Sequence, residues 1–193
     1  MSLKTHHHYK VFKPYGMLSQ FDSNSAKEQK KSFLKALGEF PEGIMPIGRL
    51  DEKSEGLLLL TTDGKLSHTI NSTGIEKEYY VLVDGLISDD DITTLQSGVE
   101  IGFNGKKYIT KPCKVSLLDE KPSFPERSKK IRDARHGPTT WISITLTEGK
   151  FRQVRKMTAA IGCPTLRLVR VRIGFISLDS MTIGEVFKLE AII

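Results

Sequence analysis

Cysteine is scarce in this chain, and what there is excludes two common devices. Cys113 and Cys163 lie fifty residues apart in apolar contexts, and neither sits in a Cys-x-x-Cys or Cys/His spacing. A disulfide framework and a structural zinc site are therefore not expected, and a reducing compartment fits. Long hydrophobic runs are missing too. No stretch reaches the roughly 18 apolar residues of a transmembrane helix, and no signal-peptide core is visible, so the reading is a cytoplasmic protein with no membrane partner. Neither an internal repeat nor a low-complexity segment is seen. The run His6-His7-His8 has no further His or Cys spaced to complete a metal site, so no metal is expected. Residues 1–8 read as a disordered tail or tag remnant and are set outside the fold.

What is present suits a globular protein. Of 193 residues, 38% are hydrophobic, 27% charged and 8% aromatic, enough for one well-buried domain of one or two lobes. The net charge of +6 makes a polyanionic partner plausible.

Along the chain, residues 9–13 read as a strand ended by the Lys13-Pro14-Tyr15-Gly16 turn. Residues 25–40 have a helical pattern, with Phe33, Leu34 and Leu37 on one face and Gly38 as the stop. An apolar approach, 44–47, leads to Gly48-Arg49-Leu50-Asp51, and four leucines at 57–60 read as a buried strand. Asp63-Gly64 is a turn, and 65–71 a short helix at best. Residues 77–84 alternate as a strand. Ser88 before three aspartates is an N-cap pattern for a helix over 88–99. A hairpin follows at Asn104-Gly105, then a strand at 114–118. Residues 119–138 hold three prolines and seven basic residues, a long irregular loop of the kind that is functional or mobile. Strands at 140–147, 165–173 and 185–190 and a helix over 151–161, stopped by Gly162 and Pro164, complete the chain. This order, without a regular βαβ rhythm, predicts α+β with a mixed, mostly antiparallel sheet flanked by helices and loops.

The positive charge is concentrated. From Arg127 to Arg172 there are twelve Lys and Arg against only Asp133 and Glu148, which suggests a groove for phosphates. On the 151–161 helix, Arg152, Arg155 and Lys156 have i, i+3, i+4 spacing and would share a face. Val154, Met157 and Ile161 would form the buried stripe. Gln153 offers an amide able to read a base edge.

Read alone, Arg49-Leu50-Asp51 is a turn whose carboxylate caps or pairs at the surface. Four motifs in order give it more meaning. They are Lys13-Pro14-Tyr15-Gly16; Gly48-Arg49-Leu50-Asp51 continuing through Ser54-Glu55-Gly56-Leu57-Leu58; Lys77-Glu78-Tyr79-Tyr80-Val81; and Glu148-Gly149-Lys150-Phe151-Arg152-Gln153-Val154-Arg155-Lys156-Met157 with Leu168-Val169-Arg170 and Gly174. Together they resemble the pseudouridine synthases, in the ribosomal-RNA branch whose synthases A, B, E and F modify the small (A) or large (B, E and F) ribosomal RNA. Ser19-Gln20-Phe21, the Pro- and Arg-rich loop, Pro138-Thr139-Thr140-Trp141 and Pro164-Thr165-Leu166-Arg167 are most similar to the E type. The resemblance implies the pseudouridine synthase fold over residues 9–193 and no S4-like domain. It also implies isomerisation of a specific uridine in large-subunit (23S) ribosomal RNA, or in its precursor particle, by a monomer without a cofactor.

The same resemblance assigns the roles. Asp51 is the essential carboxylate, acting either as a nucleophile or by stabilising charge while a glycal-like intermediate forms. Either role needs an ionised group, which a neighbouring guanidinium favours, and Arg155 is its implied partner. Tyr79 lies against the extruded base and is open to a part in the proton transfer from C5; otherwise it is a buried strand tyrosine. Leu168 is a pocket wall or plain core. Arg49 holds the displaced stack or a phosphate, or pairs with an acid such as Glu55. Lys13 and Arg170 are scaffold or phosphate contacts. A uridine inside a stem must be extruded into the site, at a cost of a few kcal/mol. Two other readings remain: a non-catalytic RNA-binding or ribosome assembly factor on the same fold, and a metal-dependent nuclease using Asp51, Glu52 and Glu55.

Overall fold

The computed structural model describes residues 5–192. The early elements are β1 (His8–Lys13), β2 (Met45–Pro46), β3 (Glu55–Thr61), α1 (Gly64–Ser72), β4 (Lys77–Asp84) and α2 (Asp89–Ser97). They are followed by β5 (Glu100–Phe103), β6 (Lys106–Ile109), β7 (Lys114–Leu117), β8 (Thr139–Leu146), α3 (Gln153–Ala160), β9 (Thr165–Ile173), β10 (Ile176–Ser177) and β11 (Val186–Leu189). Within each unit the laddered strands run antiparallel, and a parallel bridge joins Met17 to Ser32. The class is α+β with mixed pairing, as the element order predicts. The chain divides into two compact units, one formed by the chain up to Ile75 together with the segment from Phe175 onward, the other by Glu76–Gly174.

In the first unit β1 is flanked by β3 and β11, with Val11 opposite both Leu58 and Val186. Every residue of β3 is buried. Leu58 and Leu60 point one way, into a cluster with Val11, Met17 and Leu34 that Tyr9, Phe21, Leu37 and Phe40 cover. The rings of Tyr9 and Phe21 meet Phe40 edge-on at 5.6 and 5.3 Å. Leu57 and Leu59, also fully buried, point to the other face. An unbroken leucine run thus reflects a strand covered on both sides. Asp63 caps α1 by accepting from the N–H groups of Lys65 and Leu66, and the helix is longer than the short one expected.

Two expectations fail in this unit. The helix over 25–40 is replaced by turns and a short 3-10 segment, Leu34–Leu37. The apolar spacing is real, since Phe33 and Leu34 are buried. However, the backbone here bonds sideways: Leu18 N–H donates to Ser32 C=O at 2.9 Å and Leu34 N–H to Gln20 C=O at 3.0 Å. Groups spent on the neighbouring segment are lost to an i→i−4 ladder. The tail at 1–8 also fails in its described part. His8 opens β1 opposite Thr61, and Thr62 N–H donates to His7 C=O at 3.0 Å. Residues 1–4 lie outside the described residues.

The second unit is built on β4, paired with β8 on one side and β9 on the other. Val81 faces Ile142 and Leu168, all buried. Ser88 and Asp91 form a reciprocal capping box on α2. At the β5–β6 turn Asn104 and Gly105 both have positive φ, 50° and 74°, the geometry of a tight I′-type hairpin. The 119–138 segment is irregular as expected but is tied down. Phe124 packs near Tyr80 and Trp141 at 6.1 and 6.0 Å. Arg132 ion-pairs with Asp84 and donates to the carbonyls of Gly137 and Pro138 at 3.0 Å.

Gly98 ends α2 with φ +103°, and a Cβ there would lie 2.3 Å from the Thr110 carbonyl oxygen. Gly137 has a similar φ of +106° with nothing within 4 Å. Gly137→Ala should therefore cost about 1 kcal/mol of backbone strain. Gly98→Ala, which adds a clash with main chain, should cost about 3 kcal/mol or more, as read by urea unfolding. Equal losses would show that the close approach is not a constraint.

Candidate active site

In the first unit Asp51 sits half-buried between β2 and β3, and the turn that carries it is fixed from several sides. Gly48 has φ +68°, and a Cβ there would lie 2.7 Å from Asn71 Oδ1 on α1, so only glycine enters the turn without strain. Leu50 is buried, and the Ser19 hydroxyl clamps its peptide groups. Ser19 Oγ donates to Leu50 C=O at 2.6 Å and accepts from Leu50 N–H at 3.0 Å. Beyond Asp51, its own carbonyl accepts from Ser54 N–H at 3.0 Å, and Glu52 C=O accepts from Gly16 N–H at 2.8 Å. Gly16, at φ +83°, thus links the Lys-Pro-Tyr-Gly turn to the aspartate turn.

The other candidates of this unit differ in exposure. Lys13 is fully buried, and its ammonium donates to the carbonyls of Pro14 and Met17 at 2.9 and 2.7 Å. It is a scaffold cation, and the phosphate-contact alternative falls. Arg49 is exposed. Glu28, held low chiefly by the Ser23 hydroxyl, also feels the Arg49 charge. The nuclease reading loses its ligands: Glu52 turns to Lys31 at 2.6 Å, and Glu55 is buried in β3. Among the described residues no group of three or more His, Cys, Asp and Glu is arranged to hold a metal ion.

In the second unit the register places Tyr79 opposite Ile144 and Arg170, and Val81 opposite Leu168. Directly paired residues share a face, so Tyr79, Leu168 and Arg170 line one side of the sheet. A bulge between Glu78 and Tyr79 shifts the register there. Tyr79 and Leu168 are 9% and 4% exposed. Arg170 is buried at 2%, on the same face. Burial, and then the Arg170 charge, pull the Lys77 ammonium below its ordinary value.

The last motif folds into a compact brace. Glu148, just past β8, accepts from the Tyr108 hydroxyl at 2.5 Å, from Lys111 N–H at 2.9 Å and from Gln153 Nε2 at 2.6 Å. The Gln153 carbonyl accepts from Lys150 N–H at 2.9 Å. Burial works to raise the Glu148 carboxyl, but these three hydrogen bonds, aided by the Lys150 charge, hold it below its ordinary value. The Lys150 ammonium stands 5.3 and 5.0 Å from the Phe103 and Tyr108 ring centres. The hairpin β5–β6 is thereby fastened to the loop that leads into α3 and Arg155, which is half-buried on that helix.

Two expectations for the α3 region are corrected. Gln153 is 3% exposed with both ends of its amide bonded internally, so it braces the loop and does not read a base. Arg152 is not on the helix. It is the N-cap residue, exposed, in the left-handed region at φ 54°, ψ 34°, so the three cations do not form one helical face. The network members that sequence reasoning missed are Tyr108 and Glu148. A lone carboxylate opening a cationic motif was the available signal for Glu148; Tyr108 carried none.

The phosphate groove expected from 127–172 is also reduced. Arg172 is taken up by Glu78 at 2.8 Å and Glu76 at 3.0 Å. Arg167 donates to Pro125 C=O at 2.8 Å, Arg127 to Leu166 C=O at 3.1 Å, and Arg135 pairs with Asp133. Counting charge along the chain could not see these partners. The second unit still holds eighteen Lys and Arg against twelve Asp and Glu, while the first holds eleven of each. Exposed cations include Lys106, Lys107, Lys111, Lys129, Lys130 and Arg152.

Two measurements check these positioning contacts. Ser19→Ala would leave the buried Leu50 N–H and C=O without their clamp and should cost about 1–3 kcal/mol in urea unfolding. Glu148 has a lowered folded-state value, so its contribution is complete above its ordinary 4.5 and is lost as pH falls through the lowered value. The stability gap between wild type and Glu148→Gln should therefore shrink between about pH 6 and about pH 3. A constant gap would contradict the brace.

Residues 7–160 match the family described as RNA pseudouridylate synthase. A ribosomal large subunit pseudouridine synthase E from Xanthomonas axonopodis pv. citri is 41% identical over 173 residues, covering 88% of this chain and 86% of that protein. One of the same name from Vibrio parahaemolyticus is 39% identical over 175 residues, covering 90% and 69%. A crystal structure of a pseudouridylate synthase superposes with a TM-score of 0.76 at 27% identity, covering 98% of this chain and 72% of that one. The fold, at TM-score 0.54 and 18% identity, recurs in an H/ACA RNP bound to a substrate RNA, with 92% and 50% covered. With the family matched over most of its length and relatives near 40% identity across almost all of it, the chain belongs to the RNA pseudouridylate synthases.

Proposed function

We propose that this enzyme isomerises a uridine of large-subunit ribosomal RNA to pseudouridine, with Asp51 as the essential carboxylate. The reaction class follows from the family, and the names of its 41% and 39% identical relatives support the large-subunit substrate. The observation that carries the choice of residue is the turn around Asp51. Its neighbours Gly48, Leu50 and Glu52 are each held, while the carboxylate itself stays half-buried. Fixing a reacting group in this way removes much of the entropic part of a barrier.

The chemistry breaks the N–C glycosidic bond of uridine, turns the base, and rejoins it through C5, whose proton is then lost. Asp51 acts as nucleophile or as charge stabiliser, and Arg155 has the cationic role that the family resemblance gives it. Tyr79 and Leu168 border the extruded base, and Arg49 takes the position vacated in the stack or a phosphate. The working partner is ribosomal RNA or its precursor particle, bound by a cytoplasmic monomer.

Purified enzyme should release tritium from C5-labelled uridine in large-subunit ribosomal RNA. Asp51→Asn should lower release by at least about 10³-fold, the scale of losing a nucleophile or its equivalent, while RNA affinity changes little. Arg155→Ala should reduce the rate far more than it reduces unfolding stability. Binding without release by the wild type would instead mark an assembly factor, and metal-dependent strand cleavage a nuclease.

A further inference from the structure

The loop in front of α3 displays an aromatic ring that stands largely outside the core. Phe151 is 67% exposed, directly between the braced Lys150 and the left-handed Arg152. A single exposed apolar side chain is ordinary. Three further observations make this one unusual. Arg152 accepts a backbone conformation that L residues other than Asn and Asp rarely adopt, and such strain persists only where surrounding contacts enforce it. Those contacts are present: Gln153 N–H donates to Lys150 C=O at 3.0 Å, and the Gln153 amide ties the same turn to Glu148. Finally, the Lys156 ammonium stands 5.4 Å from the Phe151 ring centre while donating to Gly102 C=O of β5 at 2.6 Å. The ring is therefore held near the hairpin, with one cation beside it and exposed Arg152 next in sequence. Lys107, directly across the ladder from Gly102, is exposed but pairs with Glu100 at 2.9 Å.

We propose that Phe151 is a stacking platform for an unpaired nucleotide of the RNA, with Arg152 and Lys156 meeting the phosphates that flank it. This deepens the reading of the enzyme as an RNA synthase and rests on it for the class of partner. Bases present a π-face whatever their identity, so an exposed ring surrounded by cations suits single-stranded RNA without reading sequence. A lipid surface or a protein partner would call for a broader apolar patch than one ring. The strained Arg152 gains a purpose: it turns the chain so that the ring stands outside α3 and is not packed beneath it.

The test compares wild type, Phe151→Ala and Phe151→Tyr in binding to single-stranded oligouridylate and to a blunt RNA duplex of equal length. Phe151→Ala should lose about tenfold in affinity for the single strand and stay within about twofold for the duplex. Phe151→Tyr, which keeps the ring, should stay within about twofold on both. Thermal unfolding should be unchanged in both variants, since the ring is outside the core. Equal affinity of Phe151→Ala and wild type for the single strand would overturn the platform, as would an equal loss on both probes. Tritium release by the wild type separates the two ideas. An active enzyme indifferent to Phe151→Ala sinks only the platform, whereas an enzyme that neither binds nor modifies RNA sinks both.

Discussion

The pair of hydrogen bonds between one buried hydroxyl and the two peptide groups of Leu50 is the constraint on which the aspartate turn depends. A turn linking two strands would ordinarily satisfy its N–H and C=O groups with water and sample several conformations. Here Leu50 is driven inward as an apolar residue, and Ser19 supplies the partners that burial removes. The next residue, Asp51, inherits a fixed backbone direction. The Gly16–Glu52 bond closes the other end of the turn. Rigidity at this point is therefore a product of hydrophobic burial with matched polar partners, which is stronger than either alone.

A comparable logic operates in the second unit, with charge where the first uses a hydroxyl. Glu148 carries three hydrogen bonds, and Gln153 relays it to the turn before α3. Although the carboxylate opens a cationic motif, its oxygens are occupied by a phenol, a backbone amide and a side-chain amide. That arrangement leaves the neighbouring Lys150 and Lys156 to lie against aromatic rings. The hairpin β5–β6, which forms its own two-stranded sheet, gains through these contacts an attachment that its short ladder would not provide.

Much of this was legible in the sequence, and the failures have a common cause. Strands β4 and β9 matched the expected bounds, since alternation and β-branched residues act locally. The α2 cap and the Asn104-Gly105 turn were equally clear, because each depends on residues a few positions apart. The helix expected over 25–40 failed because bonds to residues 18–20 outcompeted a good apolar spacing. By sequence, Lys13 and Arg170 are open between scaffold and phosphate contact, and Gln153 offers an amide to a base edge; all three side chains are buried, which charge and amide chemistry alone do not report. Arg172, Arg132 and Arg167 found carboxylates and carbonyls far away in sequence. Periodicity reports which face is buried; it does not report which distant group a long cationic side chain will reach.

The fixed placement of the Asp51 carboxylate can be separated from its charge by one substitution. Asp51→Glu keeps the negative charge and extends the side chain by one methylene, a displacement of about 1 Å or more that costs on the order of 10²-fold when position governs the rate. Quantifying pseudouridine in large-subunit ribosomal RNA after incubation with this variant should show a loss of at least that size with unaltered RNA binding. Pseudouridine formation by Asp51→Glu at close to the wild-type rate would contradict the central role given to the clamped turn.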